Sequence, residues 1–244
     1  MKVDIYNTNK KYNIIYADPP WRYKVWSRDT GLGRSAESHY RTMEKEDIQS
    51  LPIQNICEKD CVLLLWVTAP CLLEGIELIK KWGFEYKTFG FTWIKQNKKS
   101  DSLFWGMGYY TRANTEICLL ATKGKPLPRL SKSVHQVVIS KVREHSRKPD
   151  EVRDRIVYLF GDIPRIELFA RQQADGWDCW GNEVWWIMTT REKEELIEFA
   201  IVKLTELKIK TDFEDRQRKK IRYVKKTQAY QDLINLLKEM KYYE

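Results

Sequence analysis

The chain has 244 residues, 43% of them hydrophobic, with 43 Lys and Arg against 34 Asp and Glu for a net charge of +9. That length suits one main α/β domain plus an appendage, and the basic balance suits a polyanionic partner. No stretch approaches the roughly 20 apolar residues of a membrane span, and Cys57, Cys61, Cys71, Cys118 and Cys179 form no paired C-x-x-C arrangement. A soluble cytoplasmic protein with buried thiols is expected, and membrane insertion, disulfides and zinc are not.

In chain order, YNIIYA (12–17), CVLLLWV (61–67), TFGFTWI (88–94), EICLLAT (116–122), VHQVVIS (134–140) and RIELFA (165–170) read as buried strands, being short, β-branched and aromatic. Residues 69–83 carry a helical stripe of Leu72, Leu73, Ile76 and Ile79 with Gly83 as the stop. A second helix over 148–162 has Pro149 in its first turn, Asp150 and Glu151 at the positive end of its dipole, and Val152, Ile156, Leu159 and Phe160 facing inward. Strands separated by helices predict βαβ units and a mainly parallel sheet, whose ligands gather at the carboxyl ends of the strands.

Residues 22–43 and 95–114 mix glycine, serine, charge and aromatics without a period; loops of that length in a compact domain are usually functional or disordered, and the aromatic content here argues for the former. From about Glu192 the texture turns helical, with stripes at Leu196, Phe199, Leu204 and Leu207 and again at Tyr230, Leu233, Ile234, Leu237 and Met240. Two regions are therefore expected: 1–188 as the main domain and 189–244 as a basic helical extension.

The chemistry starts where the first strand ends, at Asp18-Pro19-Pro20-Trp21. Proline has no N–H and a fixed φ, so the turn is rigid and accepts hydrogen bonds without donating them. An amine is its natural guest, and Trp21 supplies a flat face; an adenine has both the N6 amine and the π-face. The plain alternative is a strand-ending turn with an aromatic packed over it.

YADPPW, followed in order by HYRTM, LLLWVT, TRANTEICLL, SRKPDEV, IELFAR and WGNE, resembles the N6-adenine methyltransferases of the MT-A family over residues 4–183, and looks closer to the bacterial and phage DNA members than to the messenger-RNA enzyme. The resemblance implies a Rossmann-like class I methyltransferase fold in permuted order, with the catalytic motif before the cofactor motif. It implies S-adenosylmethionine as cofactor, DNA as substrate with RNA as the alternative, and a bacterial or phage setting. It also implies Asp18 and the Pro19 carbonyl as acceptors for the adenine amine, with Pro20 and Trp21 shaping the pocket. The amine lone pair is delocalised into the purine, so acceptors aimed at its protons favour the localised form that attacks a methyl carbon.

By the same likeness Tyr40 lies beside the base, Trp66 lines the pocket or packs in the core, and Asn114 and Glu116 lie near the substrate, Glu116 being equally readable as a solvated edge residue. The cofactor set implied is Asp4, Ile5, Asp18, Lys148, Phe169, Arg171, Asn182 and Glu183. The glycine-rich fingerprint of dinucleotide folds is missing, Ala170 standing where a glycine is usual. His39, His135 and His145 show no metal spacing, and no metal is required.

The stretch 216–226 contains no acid, and its Arg216, Arg218, Lys219, Lys220, Arg222, Lys225 and Lys226 suit phosphate neutralisation or, equally, a solvated helix face. The flanking apolar stripes fold back on the domain or pair with another subunit, so a homo- or hetero-oligomer is a candidate. A non-catalytic nucleic-acid-binding subunit is the reading from a different class; retention of Asp18 and Trp21 speaks against it.

Overall fold

The computed structural model describes residues 1–21, 43–143 and 147–181 together with Val202. The domain boundary expected at 188/189 and the helical extension lie outside the described residues, apart from Val202, which is helical. Among the described residues the elements run β1 (Tyr12–Ala17), α1 (Lys45–Gln49), α2 (Ile53–Ile56), β2 (Cys57–Val67), a 3-10 turn (Ala69–Cys71), α3 (Leu72–Lys81), β3 (Glu85–Gln96), β4 (Glu116–Lys123), β5 (Val137–Lys141), α4 (Glu151–Phe160), β6 (Arg165–Leu168) and β7 (Asp178–Trp180).

The strands form one seven-stranded sheet in the order β5-β3-β4-β2-β1-β6-β7. The pairs β1–β2, β1–β6, β3–β5 and β6–β7 are parallel. Only β4 runs against its neighbours, β2 and β3. The α/β, Rossmann-like and mainly parallel architecture expected from the sequence is borne out, and all six expected strands are present. Added to them is β7, whose three residues are too few to show a period.

Two buried layers cover the sheet. One gathers Ile15, Leu63, Leu65, Ile79, Trp82 and Leu168 beneath α1 to α3. The other gathers Ile14, Val62, Leu64, Trp66, Val152, Ile156 and Phe160 beneath α4. Side chains of alternate parity along β1 and β2 supply opposite layers, as a strand buried on both faces requires. The cysteines are free and buried, as expected from the composition.

The inward face of α4 matches its sequence pattern, with Val152, Ile156 and Phe160 buried. The face of α3 departs from it: Leu73 is 76% exposed, while Leu78 and Ile79 are buried. The cause is Gly75, where an added Cβ would lie 2.5 Å from Val67 Cγ1. That close approach to β2 turns the helix so that Gly75 and Leu78, rather than Leu73, meet the sheet.

The parallel strands β1, β2 and β6, together with β3 and β5, all end on one rim. Because β4 is reversed, it begins there. That rim therefore receives Asp18 after β1, Lys95 near the end of β3, Glu116 at the start of β4, and Phe169 after β6.

Candidate active site

Asp18 leaves β1 into the two prolines, and the chain turns at once: the Trp21 amide donates to the Pro19 carbonyl at 2.8 Å, and the Met43 amide to the Pro20 carbonyl at 3.2 Å. The Trp21 indole N–H donates to the Trp66 carbonyl at 2.9 Å and the ring is buried, so this tryptophan locks the turn onto β2. A carbonyl oxygen has two lone pairs, so the Pro19 oxygen keeps acceptor capacity beside its internal bond.

Lys148 reaches this corner from 130 residues away. Its Nζ donates to Asp18 Oδ2 at 2.8 Å, lies 3.0 Å from Glu116 Oε2, and sits 5.7 Å from the Trp66 ring centroid. The other carboxylate oxygen of Glu116 accepts from Lys95 Nζ. Acid and base thus alternate, Asp18, Lys148, Glu116, Lys95, in a chain with little exposure to water. Beneath it Trp66 is fully buried and donates its N–H to the Tyr16 hydroxyl at 2.7 Å.

The electrostatics follow from that burial. Loss of water pushes the Asp18 carboxyl up, and Lys148 only partly offsets it. For Glu116 burial acts in the same direction, but Lys148 and Lys95 together outweigh it and hold the carboxyl below its usual range. Lys148 loses water too, yet its two carboxylate neighbours raise its pKa and keep it charged.

Asp18 and Lys148 form one wall of a small cavity continued by Arg147, Arg153 and Glu167 and closed by Phe169, Arg171 and Gln172. Arg153 grips both Glu167 oxygens, at 2.9 and 3.1 Å, and also pairs with Asp150. Burial lifts the Glu167 carboxyl to about 7 despite Arg153. Phe169 has φ +58°, the only positive φ among the described non-glycine residues, and its ring meets Trp180 edge-on at 5.4 Å. A bulky residue in that region stores roughly 1–3 kcal/mol and persists where its surroundings impose it. Here the next residue is the constraint: the Ala170 amide donates to the Trp180 carbonyl at 3.0 Å, and a Cβ on Gly181 would lie 2.3 Å from the Ala170 oxygen. The chain thus makes its turn after β6 without a glycine at the turn itself.

Among the residues singled out in the sequence, the fold brings Asp18, Lys148, Phe169 and Arg171 to one cavity, with Glu116 adjoining through Lys148. Trp66 supports the site from the core and is not on its surface. Asn114 accepts from the Lys95 amide at 3.0 Å and donates to the Lys95 carbonyl at 2.9 Å and to the Phe104 carbonyl, which makes it a brace for the 95–114 segment. Asp4 caps a turn by accepting from the Tyr6 amide at 3.0 Å, and the Ile5 side chain is buried in the core. Tyr40, Asn182, Glu183 and the basic run 216–226 lie outside the described residues. The cavity residues Arg147, Arg153, Glu167 and Gln172, and Lys95 behind Glu116, were not singled out. Arg153 and Glu167 read locally as an ordinary helix cation and a strand acid, and only their mutual pairing distinguishes them.

The MT-A70 family model matches residues 12–183. A Type II methyltransferase, M.MunI, of Mycoplasma sp is 38% identical over 190 residues, covering 72% of this chain and 78% of that protein. The N(6)-adenosine-methyltransferase MT-A70-like protein of Arabidopsis thaliana is 28% identical over 187 residues, covering 75% of this chain. The N(6)-adenosine-methyltransferase catalytic subunit METTL3 of Homo sapiens is 29% identical over 177 residues, covering 71% of this chain. The matched segments are only 25% and 28% of those two eukaryotic proteins. The matched span takes in the acid corner, Lys148 and the whole cavity wall, and the chain belongs to the MT-A70 methyltransferase family.

Proposed function

We propose that this chain transfers a methyl group from S-adenosylmethionine to the N6 amine of adenine in DNA. The observation that carries the reading is the partly buried carboxylate of Asp18, held by Lys148 at the rim where the strands end and facing a cavity of mixed charge. The cavity suits the cofactor. Its Arg147, Lys148 and Arg171 match a carboxylate, Glu167 matches hydroxyl or ammonium donors, and Phe169 offers an apolar edge. When bound, the sulfonium supplies an electrophilic methyl group.

The protein's own part is positioning and proton handling. Asp18 Oδ2 is occupied by Lys148, which leaves Oδ1 for one amine proton, with the Pro19 carbonyl as the second acceptor. Two acceptors in a rigid turn localise the nitrogen lone pair, and Asp18 is the first acceptor for the proton that the amine sheds. Lys148 fixes the carboxylate orientation, while Glu116 and Trp66 fix Lys148. The cofactor set extends by proposal to Asp4, Ile5, Asn182 and Glu183, and the base-side set to Tyr40. The 216–226 run is proposed to neutralise phosphates.

DNA is preferred over RNA because the relative with 78% of its length matched is named a Type II methyltransferase. Methyl transfer measured on duplex DNA, single-stranded DNA and RNA tests this; the expected result is transfer to DNA, and activity confined to RNA overturns it. Calorimetry with S-adenosylmethionine separates an enzyme from a non-catalytic subunit, since a folded chain that fails to bind it is not an enzyme of this kind.

A further inference from the structure

The segment between β3 and β4 is built as two small turns side by side, and the acid corner does not use either. Gln96 pairs with Leu103 across the first and Gly106 with Ala113 across the second. The first is polar, with Lys98, Lys99, Ser100 and Asp101 at its tip; the second presents Met107, Tyr109 and Tyr110. Those three are 78%, 73% and 93% exposed, and Trp105 beside them is 54% exposed. Apolar side chains displayed this densely mark an interaction surface.

The display is held in shape. Arg112 donates to the Trp105 carbonyl at 3.1 Å and contacts the Met107 sulfur at 3.5 Å. A Cβ on Gly108 would lie 2.0 Å from the Thr111 oxygen, so the tight turn requires glycine. Asn114 ties the base of the segment to Lys95, which in turn reaches Glu116 and, through it, Lys148 and Asp18. The aromatic tip therefore projects from the same rim as the candidate active site.

We infer that this segment is a preformed duplex-DNA grip, in which Met107 and Tyr110 at the second tip stack into the gap left by an extruded nucleotide while Lys98 and Lys99 meet the backbone. The inference rests on the proposed function and adds to it the surface that holds the duplex. The occupant follows from charge and chemistry. Residues 95–113 carry Lys98, Lys99 and Arg112 against Asp101 alone, Lys95 being paired with Glu116, and Lys141 neutralises Asp101 at 3.1 Å. A second copy of this chain, itself at net charge +9, gains nothing from that excess. A polyanion whose bases stack on rings gains from both tips. A reaction at N6 of a paired adenine also requires the base to leave the stack, and a side chain that fills the vacancy stabilises the opened form.

The test uses the full chain and does not depend on methyl transfer. Duplex DNA containing 5-iododeoxyuridine is irradiated with the protein, and crosslinked peptides are mapped by mass spectrometry; crosslinks at Trp105, Tyr109 or Tyr110 are expected. The double variant Met107→Ala, Tyr110→Ala is expected to bind a duplex with an abasic gap roughly 10-fold more weakly. Its melting temperature and its dependence of log affinity on log salt should stay unchanged, because stacking rather than ion pairing is lost. Crosslinks confined to other segments, or unaltered gap binding by the variant, overturn the inference. So does a shift from dimer to monomer in sedimentation with duplex affinity retained, which would assign the tip to a protein partner. Duplex gripped through this segment by a wild-type chain that transfers no methyl group would refute the functional reading and leave the grip standing.

Discussion

The acid corner and the 95–113 segment share one rim of the sheet and solve opposite problems. At the corner, Asp18, Lys148 and Glu116 are removed from water and bound to one another, over a fully buried Trp66. On the segment, Tyr110 and Met107 stand almost entirely in solvent on a turn stiffened by Gly108 and Arg112. Burial makes charges strong but expensive to leave unpaired, and suits a group that must act on one atom. Exposed rings on a stiff turn lose little entropy when a partner arrives, and suit recognition. The contrast teaches that position and contact are assigned here to different strand ends, joined through Asn114 and Lys95.

The largest expected effect breaks the corner side of this comparison. Asp18→Ala removes one of two proposed acceptors and is expected to lower the transfer rate by about 100-fold or more while cofactor affinity in calorimetry stays within a few-fold. An active variant would transfer the role elsewhere. Next, Lys148→Met leaves Asp18 and Glu116 as buried like charges, and chemical denaturation should show a loss of about 3 kcal/mol. Adding Glu116→Gln to that variant should recover part of the loss, because the repulsion between the two carboxylates is removed while Lys95 loses its charged partner.

A smaller effect concerns Glu167. Its folded pKa, about 7, is raised, so the stability it contributes is fully present below its ordinary carboxylate value and is lost as pH rises through about 7. Glu116, with its pKa lowered, acts with the opposite sign: its contribution is present above the ordinary value and is lost as pH falls. Melting curves between pH 5 and 8 should therefore decline toward the alkaline side by about 1–2 kcal/mol. Glu167→Gln should flatten that decline. The smallest effect sharpens the other side. Gly108→Ala forces the Thr111 carbonyl to move and should cost about 1 kcal/mol of global stability, held to that because the turn is exposed, while weakening duplex binding in a filter or anisotropy assay.

Much of this was legible before any fold was known, where the signal was local. The strand at 12–17 has the bounds its sequence predicts, because an apolar run meets an acid and two prolines. Helix α4 buries the face its sequence predicts because its period is unbroken. Along α3 the same kind of pattern named Leu73 where Leu78 is buried, since no period reports the close contact between Gly75 and Val67. The acid corner was legible as residues and not as a network.

What the sequence determined by itself is six of the seven described strands, the rigid acceptor turn at Asp18 and the family to which the chain belongs, because each rests on backbone chemistry or an ordered set of motifs along the chain. What only the tertiary structure decided is which groups neutralise which. Lys148 met Asp18 and Glu116 rather than open water, Arg153 met Glu167, and Asn114 spent its amide on the chain beside it. The physical reason is that a buried charge takes its partner from whatever strand end lies beside it, and the neighbours at this rim were set by the reversal of β4, a property of long-range pairing that no short window of residues contains.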